Sequence, residues 1–238
     1  MAERNNLRKN RRDIGFGPWQ MKQPMFNQRS FIKYVAGLAV AAVSALSVSI
    51  SQAQSNAAPP APKAVPNESE VAVIKTTEGD MVIEFWTDAA TNTVANFKKL
   101  AKAGFYDGTA FHRIIKGFMA QGGDPNTKDP NKVAMYGGGG PGYAIADEKN
   151  GHKHDRGVIA MANAGPNTAG SQFYICLAPQ PGLDAMDYTT FGHLIKGDDT
   201  LEKIGNTPVA VSPRGEMSAP TKRVEVLSIK IVPASSVK

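Results

Sequence analysis

Two β-rich runs, Val71 to Lys75 and Met81 to Trp86, flank the polar stretch Thr76-Thr77-Glu78-Gly79-Asp80, and this pattern predicts an antiparallel hairpin. From Thr91 the spacing changes. Val94, Phe97, Leu100 and Ala101 recur on one helical face, with Thr91 placed to cap the helix and Gly104 to stop it. Strand-like runs follow at Ala110 to Ile115, Phe118 to Gln121, Gly157 to Met161, Gln172 to Leu177 and Thr189 to Ile195. A second helix is predicted from Asp198 to Ile204, where Asp198, Asp199 and Glu202 suit a helix N-terminal half. Val224 to Val232 alternates as a closing strand. About eight short strands and two helices, without βαβ alternation or internal repeats, predict a mainly antiparallel barrel or sandwich.

Charge divides the chain. Of its 27 Lys and Arg residues, eight precede Tyr34, against two acids, Glu3 and Asp13; the remainder carries 19 bases and 19 acids. The formal charge of +6 therefore belongs to the N-terminus, and a balanced remainder offers no polybasic footprint for nucleic acid. The basic stretch leads into the apolar run Tyr34 to Ile50 and then Ser51-Gln52-Ala53, the order of an export signal. Its length points to Met21 or Met25 as the start of translation. A membrane anchor usually needs about 20 strongly apolar residues; this run is shorter and diluted by Ser44, Ser47 and Ser49. We therefore expect a signal peptide with a basic extension over 1–53, a Pro/Ala/Ser-rich tether over 54–69 and a folded domain over 70–235. The expected location is the periplasm, without stable membrane association once the signal is cleaved; a membrane-anchored form facing the periplasm is the alternative. The single cysteine, Cys176, has no disulfide partner and lies in an apolar stretch, as a small buried hydrophobe does.

Candidate chemistry concentrates in three segments. In residues 111–124 (FHRIIKGFMAQGGD), period-two alternation puts Phe111, Arg113 and Ile115 on one strand face, a guanidinium among apolar groups. Such an arginine is either paired structurally or functional. Residues 161–176 (MANAGPNTAGSQFYIC) begin small and polar before becoming a strand, a surface turn or a backbone able to pair with an extended peptide. Leu183-Asp184 and Tyr188 to Gly192 add candidates for a pocket wall.

At these residues the sequence resembles the cyclophilin family. The 111–124 and 161–176 segments match its two signature stretches almost position by position, Leu-Asp and Phe-Gly elements follow in order, and the likeness covers about Val71 to Pro233. The resemblance implies a closed eight-stranded antiparallel barrel capped by two α-helices, and peptidyl-prolyl cis-trans isomerase activity on proline-containing polypeptides by a monomer, with neither cofactor nor metal. It further implies that Arg113 is the catalytic arginine. Phe118, Met119, Tyr174 and Leu183 look like the proline pocket; Gln121, Ala162, Asn163 and Gln172 resemble the groups that hold the peptide; Tyr188 stands where many members carry His. Gly182 stands where cyclosporin-sensitive members carry Trp, which implies weak cyclosporin binding. Tyr174 replaces the more usual Phe, and its hydroxyl is expected to point towards solvent. A binding module that grips proline segments without turnover is the alternative.

Other features read as bland. Gly137 to Gly142 lacks the Lys-Ser or Lys-Thr and the strand-to-helix context of a phosphate loop, and reads as a flexible loop. His152 and His154, near Glu148 and Asp155, read as solvated rather than metal-ligating. His112 alternates away from Arg113 as a packed histidine, and no serine has the flanks of a hydrolase elbow.

Overall fold

The computed structural model describes residues 69–237 apart from position 187. The expected signal and nearly all of the tether lie outside the described residues. Along the chain come β1 (Glu70–Thr76), β2 (Gly79–Phe85), α1 (Thr91–Lys102), β3 (Thr109–Ala110), β4 (Arg113–Ile115) and β5 (Met119–Gly122). Two 3-10 turns, Pro125–Lys128 and Pro130–Met135, precede β6 (Val158–Met161), β7 (Phe173–Cys176), β8 (Thr190–Lys196) and α2 (Asp198–Gly205). β9 (Val209–Val211), β10 (Met217–Pro220) and β11 (Glu225–Pro233) complete the strands.

The predicted hairpin forms, with Val73 opposite Val82 and Thr76 opposite Gly79. Gly79 is required at its turn: its φ is +135°, and a Cβ there would come within 2.4 Å of Thr200 Oγ1 on α2. A nine-stranded antiparallel sheet runs β3-β11-β1-β2-β8-β6-β7-β5-β4, and β9 and β10 make a separate pair. Both helices drive their apolar faces into one core. Phe97 of α1 is fully buried, with the rings of Tyr106, Phe191, Phe173 and Phe85 at 5.0 to 5.9 Å, so truncating it costs about 3–5 kcal/mol.

Three expectations change. The closed eight-stranded barrel is instead a curled nine-stranded sheet whose order runs open from β3 to β4. The cause is local. The predicted strand Ala110 to Ile115 breaks at Phe111-His112, where the Phe111 amide donates to Val224 O and the His112 amide to Gln121 O. The two end strands are thus consecutive in the chain, and Phe111 turns into the core with Ile114 instead of sharing the face of Arg113. Second, β9 and β10 arise between the second helix and the closing strand, a stretch for which the sequence pattern predicts no element. Third, Thr91 does not cap α1: the N-cap is Ala90, and Thr91 Oγ1 donates to Thr87 O. The cap comes from afar, because the Glu148 carboxylate accepts the Asn92 and Thr93 amides at 2.9 and 2.7 Å, plus the Asn92 side-chain amide and the Thr93 hydroxyl.

Burial alone pushes the Glu148 pKa up, but the bonds from Thr93 and Asn92 outweigh it and hold the carboxyl below the ordinary glutamate range. A depressed folded-state pKa gives stability that is present above the unfolded pKa and lost as pH falls through the folded one. Glu148→Gln is therefore expected to cost about 1 kcal/mol at neutral pH, a drop of roughly 2–4 °C in Tm. Thermal melts from pH 7 downwards test this, since the gap between variant and wild type closes once the wild-type carboxyl is also protonated.

Candidate active site

The β4–β5 hairpin pairs Arg113 with Gln121, Ile114 with Ala120 and Ile115 with Met119. Strand alternation sends Ile114 and Ala120 into the main core, and leaves Arg113, Ile115, Met119 and Gln121 on the opposite face. β7 continues that face: Tyr174 lies opposite Gln121 and Cys176 opposite Met119, while Phe173 and Ile175 point inward. Met119, Ala160, Tyr174 and Cys176 form a second apolar cluster, joined by the half-buried Ile115, Phe118, Ala162, Leu183 and Tyr188. Burial pushes the Cys176 thiol up to about 12, with Asp155 and Asp184 adding to the effect, so it is an inert floor group.

Arg113 stands at the rim. Its Nε and Nη2 donate to the Glu216 carboxylate at 2.6 and 2.7 Å. Nη1 lies 3.7 Å from Met119 Sδ and 3.5 Å from Gln121 Oε1, and Cζ sits 5.8 Å from the centre of the Phe118 ring. The guanidinium is paired with an acid, yet about a third of its side chain remains exposed, and its Nη1 lies beside Met119 of the apolar cluster. Gln121 Nε2 donates to Gln172 Oε1 at 3.0 Å, Gln172 Nε2 donates to Gly139 O at 2.8 Å, and the Ala162 amide donates to Gln172 O. The glycine-rich loop is consequently pinned rather than free. Gly137 donates to the Asp124 carboxylate, and a Cβ on Gly139 would meet Asp124 Oδ1 at 2.1 Å.

The far wall is fixed by the buried His154. Asp184 Oδ1 accepts the His154 amide at 2.9 Å and lies 3.0 Å from its Nδ1, which anchors the loop carrying Leu183. These hydrogen bonds, with Lys153 nearby, hold the Asp184 carboxyl below its usual range. The His154 ring stacks on Tyr174 at 6.1 Å, and Tyr188 meets Tyr174 edge-on at 5.8 Å. The Tyr174 hydroxyl is not in solvent as expected. It is buried without a hydrogen-bond partner among the described residues, and burial raises its pKa.

Nine of the ten site residues read from the sequence thus converge: Arg113, Phe118, Met119, Gln121, Ala162, Gln172, Tyr174, Leu183 and Tyr188. Asn163 adjoins them, half-buried, with its side-chain oxygen accepting the Gly165 amide within its own turn. The four groups weighed as metal ligands go separate ways: His154 inward, Glu148 to the helix cap, His152 onto Trp86 at 3.8 Å, Asp155 exposed. Sequence reasoning missed Glu216, 103 residues from Arg113, and the His154–Asp184 tie. A lone acid in the turn Ser212-Pro213-Arg214-Gly215-Glu216 carries no local signal; the Leu-Asp pair beside the pocket was the nearest available hint.

The chain has relatives in keeping with this geometry. It is 47% identical over 133 residues to a peptidyl-prolyl cis-trans isomerase of Synechococcus elongatus, a stretch covering 56% of this chain and 85% of that one. It is 44% identical over 135 residues to peptidyl-prolyl cis-trans isomerase B of Bacillus subtilis, covering 56% and 88%. A crystal structure of a cyclophilin type isomerase from Cryptosporidium parvum, determined in the presence of the dipeptide Ala-Pro, superposes with a TM-score of 0.60 at 34% identity, covering 68% of this chain and 98% of that one. The profile of the family described as "Cyclophilin type peptidyl-prolyl cis-trans isomerase/CLD" matches residues 71–231, from within β1 to within β11, and so the chain belongs to the cyclophilin family.

Proposed function

We infer that the hollow bounded by Met119, Phe118, Tyr174 and Leu183 holds a substrate proline and that Arg113 catalyses rotation of the peptide bond before it. The chain is a peptidyl-prolyl cis-trans isomerase by family; the assignment of roles rests on one observation, a charged donor held 3.7 Å from Met119 at the edge of an apolar cluster whose Phe118, Leu183 and Tyr188 are only half-buried. An amide resists rotation by about 18–20 kcal/mol because the nitrogen lone pair is delocalised into the carbonyl. A hydrogen bond to the prolyl nitrogen localises that pair as the nitrogen pyramidalises. Arginine suits the task because it stays protonated and presents donors in a fixed fork. Lowering the barrier by about 7 kcal/mol gives roughly 10⁵-fold acceleration. Gln121, Gln172 and the Ala162–Asn163 backbone grip the peptide while the apolar walls clamp the ring. The grip must favour the twisted amide over both planar forms.

The N-terminal sequence supports a finer reading, an exported bacterial isomerase that acts on proteins folding in the periplasm. The basic run, the Ser-diluted apolar segment and the small-residue exit support it, and a Pro/Ala-rich tether would let the domain reach its clients. No helix among the described residues is long and apolar enough to cross a membrane.

Three measurements test these readings. In a proline-limited peptide isomerisation assay, Arg113→Ala is expected to lower kcat/KM by at least about 10²-fold with peptide binding retained; equal, negligible activity in wild type and variant would establish a binding module instead. Gly182 is exposed and nothing lies within 4 Å of where its Cβ would be, so wild type should be weakly inhibited by cyclosporin. Gly182→Trp is expected to tighten inhibition by about tenfold or more, close to 1.4 kcal/mol, and strong inhibition of wild type contradicts the reading. Mass spectrometry of the exported protein should give a mature N-terminus near Gln54; a full-length, membrane-retained product overturns signal cleavage.

A further inference from the structure

The three nitrogens of the Arg113 guanidinium are used unequally. Nε and Nη2 meet the two oxygens of Glu216 as a fork on a fork, at 2.6 and 2.7 Å. Nη1 faces the other way, and its separations of 3.7 Å to Met119 Sδ and 3.5 Å to Gln121 Oε1 are long for hydrogen bonds. It is the nitrogen with neither N–H engaged by Glu216, and it is the one beside Met119 of the apolar cluster.

Glu216 is itself mounted firmly. It closes the β9–β10 turn, where the Ser212 amide donates to Glu216 O at 2.7 Å and the Glu216 amide donates back to Ser212 Oγ at 3.3 Å. Gly215, at φ +81°, allows the chain to turn that tightly. This hairpin pairs its backbone with no strand of the main sheet, yet it lines a cleft with Arg113 and Gln121, and its carboxylate grips Nε and Nη2 of Arg113, the nitrogens away from Met119.

We propose that Glu216 is a positioning residue for the isomerase: it clamps two nitrogens of Arg113 so that only Nη1 is presented to the prolyl nitrogen, and it raises the rate of the twisting step without touching the peptide. The proposal rests on Arg113 being the catalytic residue, as inferred above. A free arginine samples many rotamers, whereas a donor that must meet a nitrogen only as it pyramidalises works best when already aimed. The pair is too exposed, at 32% and 41%, to be a major source of stability. What it supplies is direction.

Charge identifies the clamp. The hydrogen bonds from Arg113 hold the Glu216 carboxyl below the ordinary glutamate range, against the opposing effect of burial, with Ser218 and the charges of Arg113 and Arg214 assisting. Arg113 from β4, and Arg214 and Ser218 from the hairpin, face it. His112 and Tyr136 line the same cleft, and burial lowers the His112 pKa to about 4. The clamp is therefore present at neutral pH and is lost as pH falls through the depressed Glu216 pKa.

The test compares full-length wild type, Arg113→Ala, Glu216→Gln and Glu216→Ala in the proline-limited assay. Both Glu216 variants are expected to lose kcat by roughly 10- to 100-fold, with KM and peptide binding unchanged and Tm close to wild type. The ratio of wild-type to Glu216→Gln activity should shrink towards one as pH drops below the glutamate range while both remain folded; His112 titrates in both proteins and cancels. Glu216 variants as fast as wild type beside an inactive Arg113→Ala overturn the clamp alone, as does a loss confined to KM or a ratio independent of pH. An active Arg113→Ala overturns the catalytic reading itself, and the clamp with it. The isosteric Gln variant keeps the test decisive should Glu216→Ala misfold.

Discussion

Successive residues of a strand point to opposite sides of its sheet, so a strand apolar at every position must be covered on both sides. β6 and β7 are buried at all four of their positions. Their inner residues, Ile159, Met161, Phe173 and Ile175, meet the core that α1 and α2 fill. Their outer residues, Ala160, Tyr174 and Cys176, pack with Met119 in a second, smaller cluster. They are covered by Phe118 from the β4–β5 turn and by Leu183 and Tyr188 from the segment before β8. A loop covers less completely than a packed layer: Phe118, Leu183 and Tyr188 stay half-buried, and this incompletely covered apolar surface is the proposed proline hollow. The site is the second face of the strands that build the core, so its shape follows from packing on the side that substrate never sees.

A hollow made this way has walls contributed by segments far apart in sequence, and each wall is tied to the frame by a polar contact. Asp184 ties the Leu183 loop to His154. Gln172 ties the glycine-rich loop to β5 through Gln121 and Gly139, and Glu216 ties the outer hairpin to Arg113. Two of these ties have a charged partner close to solvent, where an ion pair adds little to stability. Their effect is to leave each wall one position instead of several, which discrimination of a twisted amide from a planar one requires.

The same division explains what the sequence discloses. Periodicity along a strand or helix is local, and it recovers the β1–β2 hairpin, the buried face of α1 and nearly every strand of the main sheet. Even the site's apolar residues are legible, because Tyr174 and Met119 stand in runs whose burial is written in their neighbours. What escapes is the pairing of isolated polar groups across distance. Glu148 reaches α1 from 55 residues away, so Thr91, a good cap by type, loses that place to a group that satisfies two amides at once. Glu216 reaches Arg113 across 103 residues. The split of one predicted strand into β3 and β4 escapes for a related reason: a backbone that changes partner between Phe111 and His112 keeps its β propensity throughout, and only the ladder records the switch.

That switch has a consequence for the site. Were Ala110 to Ile115 one regular strand, Phe111 and Arg113 would share a face, and seating Phe111 in the core would draw the arginine inward with it. Changing partner at Phe111-His112 resets the alternation, so Phe111 can be 1% exposed beneath the sheet while Arg113, two residues on, stands at the open rim. Gly122, opposite this bend, has its missing side chain filled by the Phe111 ring, whose Cδ1 would lie 3.2 Å from a Cβ there. The irregularity that keeps the hydrogen-bond ladder from reading as a simple ring is thus the one that leaves the guanidinium at the partly exposed rim, at the modest cost of one local break in the pairing.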